Sequence, residues 1–70
     1  MTQCEQILRH LRQEGSITQR EAARRYEIYR LAARIYDLRR KGHTIERTME
    51  TSDNGKQYAR YYLKQPALEL

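Results

Sequence analysis

The chain has 70 residues, with 14 Lys+Arg against 9 Asp+Glu for a net charge of +5, and a single cysteine. A chain of this length makes one small domain that buries only about 60% of its unfolded surface, which leaves no room for an enzyme cleft beside a scaffold. The lone Cys4 excludes a disulfide framework and a Cys-x-x-Cys metal site, and no apolar run approaches a membrane span, about 20 residues.

In chain order, Thr2-Gln3-Cys4-Glu5 reads as a capping box, in which the Thr hydroxyl and the Glu carboxylate each accept from the other residue's backbone N–H. Ile7, Leu8 and Leu11 follow at helical spacing, and Gly15 provides the left-handed stop, so a first helix is expected over 3–14. Ser16-Ile17 reads as a short extended link. Thr18-Gln19-Arg20-Glu21 is a second capping box that opens a two-turn helix through Ala22, Ala23 and Tyr26. A helix so short is held only by packing. Glu27-Ile28-Tyr29 reads as a brief turn. A third helix is expected from Tyr29 or Arg30 to Lys41, with Leu31, Ile35 and Leu38 forming one apolar stripe at i, i+4 and i+7. Gly42 ends it.

Beyond Gly42 the period changes. Residues 44–51 alternate loosely and are rich in Thr, Asp53-Asn54-Gly55-Lys56 is a turn signal, and Tyr58 to Leu63 is aromatic and strand-favouring. A two-stranded hairpin of about 44–51 with 57–63 is expected. The ordered domain spans 1–65, and 66–70 form a short tail beginning at Pro66. The fold class is α+β, three helices followed by a hairpin.

The charge is not spread evenly. Residues 20–41 carry eight basic and three acidic side chains, which accounts for the whole excess. A basic segment in an otherwise balanced domain is the footprint of a polyanion partner; the bland alternative is a solubilising helix face. With Leu31, Ile35 and Leu38 inward, the helical period turns Tyr29, Ala33, Tyr36, Asp37 and Arg40 outward and puts Arg30, Arg34 and Lys41 on one flank. A duplex major groove about 12 Å wide admits one such helix. Arginine grips guanine O6 and N7, Ala33 meets a thymine methyl or lets the helix sit deep, and Asp37 accepts from cytosine N4 or orients Arg34. On the hairpin, Arg47, Lys56 and Arg60 suit phosphate contacts. The candidate DNA-binding residues are therefore Tyr29, Arg30, Ala33, Arg34, Asp37, Arg40, Lys41, Arg47, Lys56 and Arg60.

The run from Ile17 to Ile45, with its Thr cap, Ala-rich second helix and Arg30-Leu31…Ile35…Leu38-Arg39…Gly42…Ile45 pattern, resembles the small winged helix-turn-helix proteins of phages and prophages, and the resemblance extends over residues 4–63. It implies a winged helix-turn-helix fold, with the third helix in the major groove and the hairpin wing on the backbone, and a role as a transcriptional regulator or excisionase-like factor. The group usually has Gly where this chain has Glu27, a position where φ > 0 costs another residue about 1 kcal/mol.

Other residues have plainer readings. Tyr26 and Tyr61 belong to the core of a chain that has no Phe or Trp, whereas Tyr36, Tyr58 and Tyr62 stay undecided. His10 and His43 have no ligand cluster in the sequence, so no metal, cofactor or small-molecule substrate is expected, and no catalytic residues or enzyme activity either. The absence of an apolar leader and of cysteine pairs leads to the expectation of a cytoplasmic protein with no membrane partner. A homodimer through Leu68 and Leu70 is left open. The competing function is a winged-helix adaptor or inhibitor that binds protein rather than DNA.

Overall fold

The computed structural model describes residues 2–64. The elements are α1 (Gln3–Glu14), β1 (Ser16–Thr18), α2 (Gln19–Tyr26), α3 (Leu31–Arg40), β2 (Ile45–Thr51) and β3 (Gln57–Leu63). The expected α+β arrangement of three helices and a hairpin is present. The tail expected at 66–70, with Pro66, Leu68 and Leu70, lies outside the described residues.

Both capping boxes form. Thr2 Oγ1 accepts from Glu5 N at 3.1 Å while Thr2 N donates to Glu5 Oε1 at 2.8 Å. Thr18 and Glu21 repeat the exchange at 3.2 and 3.0 Å. Each box satisfies two backbone donors that a helix start leaves open. Gly15, at φ 91°, closes α1 with its N–H on Leu11 O.

The sheet departs from the expected hairpin by one strand. Ser16–Thr18 is not a link but β1, paired antiparallel with β3 in the order β1-β3-β2. Ile17 faces Tyr61 and Thr18 faces Arg60. Three residues are too few to show a period of two; what makes them a strand is Ile17, fully buried against the partner strand. The β2–β3 register runs from Ile45↔Leu63 to Thr51↔Gln57.

One core fills the space between helices and sheet: Ile7 and Leu11 of α1, Ile17, Ala22, Ile28, the α3 stripe Leu31, Ile35 and Leu38, then Ile45 and Tyr61. Tyr61 is buried as expected. Tyr26 packs against this core half-buried, and its hydroxyl lies 2.7 Å from Nδ1 of the buried His10, the two rings meeting edge-on. His10 is thus a core histidine with a phenol partner. Among the described residues, no cluster of His, Cys, Asp or Glu could hold a metal ion, and no helix is long and apolar enough to cross a membrane.

Candidate nucleic-acid interface

Helix α3 begins two residues later than the earliest expected start. Arg30 is its N-cap, with φ −124°, ψ 63° and no side-chain cap bond, and Tyr29 stands in the turn before it. The N-terminus of α3 is held from a distance by Gln19. Its Nε2 donates to Ile28 O at 2.8 Å and its Oε1 accepts from Leu31 N at 2.9 Å. One amide from the first turn of α2 thereby satisfies both backbone groups of the connecting turn and sets the approach of the two helices. Glu27 completes that turn in the left-handed region, φ 56° and ψ 37°, with its N–H on Ala23 O and that of Ile28 on Ala22 O. The strain anticipated for a non-glycine residue is present.

At the other end of α3, Arg39 donates from Nε and Nη2 to Ile45 O at 3.0 and 2.7 Å. This fork fastens the helix to the base of the hairpin, so α3 and the wing share one rigid junction.

The outward side of α3 carries Tyr36, 60% exposed, with the Arg40 guanidinium 5.8 Å from its ring centroid. Tyr29 is 72% exposed. Arg30, Arg40 and Lys41 are exposed and Ala33 is half-buried. Arg34 is less free than its neighbours. Three residues at about 100° each place it only about 60° from Leu31 around the axis, its side chain is 35% exposed, and its Nε is buried without a partner. Its Nη2 lies 3.1 Å from Asp37 Oδ2, so of the two roles open to Asp37, orienting Arg34 is the one with visible geometry.

The wing tip is a tight turn in which Ser52 N donates to Lys56 O at 2.8 Å and Gly55 N to Ser52 O at 2.9 Å, with Gly55 at φ 85°. Ser52 and Asn54 side chains bond to each other and Lys56 N donates to Asn54 Oδ1. Lys56 projects from this turn into solvent. Arg47 is exposed on β2 opposite Tyr61, and because strand side chains alternate it lies on the other face of the hairpin from Arg60.

Arg60 differs from both. Its Nε donates to Glu50 Oε1 at 2.9 Å and its Nη1 to Ser16 Oγ at 3.1 Å, and Nη1 lies 3.9 Å from Glu21 Oε1. Tyr62 hydroxyl donates to the second Glu50 oxygen at 3.4 Å. The hydrogen bond from Arg60 holds the Glu50 carboxyl below its ordinary range, and Glu50 in turn raises the Arg60 guanidinium above its own.

Between α2 and the wing the surface opens into a cleft of about 750 Å³ lined by Gln19, Arg20, Arg24, Lys56, Tyr58 and Arg60 among others. Arg20 and Arg24 stand one turn apart on α2, hence on one face. Their side chains and that of Lys56 make no ion pair or hydrogen bond among the described residues. Two acids also line the cleft, Glu21, which is engaged by Thr18 and Arg60, and Asp53. The structure thus brings Lys56 and Arg60 together with two arginines that the helical-face argument, confined to α3, passes over. The sequence does hold a signal for them, an i, i+4 arginine pair that begins inside the second capping box.

A family model described as a winged helix-turn-helix domain matches residues 2–66. No curated protein and no solved structure matches the chain.

Proposed function

The chain belongs to the winged helix-turn-helix domain family, and we propose that it is a sequence-specific double-stranded DNA-binding protein, a regulator or excisionase-like architectural factor. In this reading α3 enters the major groove with Tyr29, Arg30, Ala33, Arg34, Asp37, Arg40 and Lys41 toward the bases and groove walls, and the wing lies on the backbone through Lys56 and Arg47. The observation that carries it is the cleft lined by Arg20, Arg24 and Lys56, whose side chains have no ion-pair or hydrogen-bond partner among the described residues. Three exposed cations lining one concavity suit a phosphodiester strand, whose charges recur along its length. The cleft adjoins the start of α3, because Gln19 both lines it and holds the backbone of Ile28 and Leu31. A strand seated there would bring the neighbouring groove to the N-terminal half of α3, from which helix-turn-helix proteins contact base edges.

Binding of random and selected duplexes, followed as a function of salt, tests this. Neutralising four to six phosphates gives a log–log slope of about −4 to −5. A slope near zero, with capture of a protein partner instead, would establish the adaptor alternative.

A further inference from the structure

By sequence alone Arg60 groups with Lys56 and Arg47 as a phosphate contact. Its surroundings support another role. The guanidinium is one-quarter exposed and reaches three elements at once: Glu50 on β2, Ser16 on β1 and the capping carboxylate Glu21 at the start of α2. Glu50 is set diagonally across the hairpin, since Arg60 pairs with Thr48 and Glu50 with Tyr58, and Tyr62 pins its second oxygen. Arg60 lines the α2–wing cleft together with Arg20, Arg24 and Lys56, and its ion pairs join Glu21 of α2 to Glu50 of β2. We propose that Arg60 is a positioning residue: it braces the wing against α2 and sets the width of the cleft, so that it acts on DNA through Lys56 and does not itself touch phosphate. This inference rests on the duplex-binding reading above.

The geometry supports a brace over a contact for two reasons. Two carboxylates already face the guanidinium, so turning it toward a phosphate would leave both uncompensated beside the DNA. In addition, the planar guanidinium spreads its donors over separate nitrogens, Nε toward Glu50 and Nη1 toward Ser16 and Glu21, whereas the three donors of lysine leave from one nitrogen and cannot span the same partners.

The two roles predict opposite signs for Glu50→Ala. If Arg60 touches phosphate, removing its carboxylate partner frees it and binding tightens. If Arg60 is a brace, the wing loses its hold and affinity for every duplex falls, by about tenfold for a coupled charge site. A double-mutant cycle supplies the second readout, one that a mere loss of stability would not produce. Arg60→Met and Lys56→Ala are made singly and together, with melting curves confirming that each remains folded at the assay temperature. As a brace acting through Lys56, Arg60→Met weakens the parent about tenfold and the Lys56→Ala protein by no more than about twofold. Arg60→Lys behaves like Arg60→Met. The proposal is overturned if Glu50→Ala tightens binding, if the two losses multiply, or if Arg60→Lys retains parental affinity. Failure of the parent itself to bind duplex DNA with a steep salt dependence would instead remove the reading on which the inference stands.

Discussion

Glu27 sits at φ 56° in a position where a side chain costs about 1–2 kcal/mol relative to the right-handed region. Glycine would remove that penalty while adding about 0.5–1 kcal/mol of unfolded-state entropy, so Glu27→Gly should leave the melting temperature equal or slightly higher. Glu27→Val, β-branched, should lower it clearly; equal melting for both variants would show that the turn relaxes. On α3, adjacent residues should fail differently. Ile35 is 1% exposed among Ile7, Leu31 and Leu38 in the core, and Ile35→Ala should cost about 2–5 kcal/mol of folding stability, which threatens a domain with only about 5 kcal/mol to lose. Arg34→Ala breaks a half-exposed ion pair worth about 0.5 kcal/mol and should keep the fold while weakening target binding by about 1–3 kcal/mol. Parental affinity in a folded Arg34→Ala protein would take Arg34 out of the reading surface.

At the scale of elements, the polar tie between α2 and α3 rests on the single side chain of Gln19. Gln19→Ala would strip the partners from Ile28 O and Leu31 N together, an expected cost of about 1–3 kcal/mol if either group stays out of water. Hydrogen exchange should quicken first at Leu31 and in the opening turn of α3; uniform quickening across the chain would mean that the loss is global. The capping boxes and the wing also tie stability to pH. Glu5 is held below the ordinary glutamate value of 4.5 chiefly by the Thr2 backbone N–H, and Glu50 chiefly by the hydrogen bond from Arg60. Carboxyls with lowered folded values stabilise the protein fully above 4.5, and that contribution is lost as pH falls through the lowered values. Melting temperature should therefore decline as pH falls below 4.5, and decline less in a Glu5→Gln, Glu50→Gln double variant. An identical acid decline in that variant would assign the effect to other groups.

For the molecule as a whole, the arrangement of cations that are unpaired among the described residues sets how binding responds to salt. Lys56→Ala should weaken all duplexes about equally and lower the salt slope by about 1, and Arg20→Ala and Arg24→Ala should each do the same. Asp53→Asn, which removes one of the two acids that line the cleft, should tighten binding without changing which sequence is preferred. If Arg20→Ala and Arg24→Ala leave the slope of a steeply salt-dependent parent unchanged, the backbone does not run through the cleft and the phosphate contacts belong to α3 and the wing tip alone. Relaxed preference at one base pair in Lys56→Ala would mean that the wing reads bases.

Local chemistry made much of this architecture legible. The two Thr-x-x-Glu boxes, the glycine after α1, the Leu31-Ile35-Leu38 stripe and the Asn-Gly turn each act within a few residues, so their geometry follows from spacing alone, and the basic segment at 20–41 indicated the kind of partner. What tertiary structure alone decided depends on residues far apart in the chain. Ser16–Thr18 became a strand because β3, more than forty residues later, offers an edge to Ile17. Gln19 became the cap of α3 because α2 and α3 meet, and His10 a core residue because Tyr26 lies beside it. Arg47 and Arg60 look alike in sequence, yet one projects into solvent and the other is engaged by Glu50, Ser16 and Glu21. A side chain's charge is a property of the sequence, whereas its availability depends on which partners the fold places within hydrogen-bonding distance.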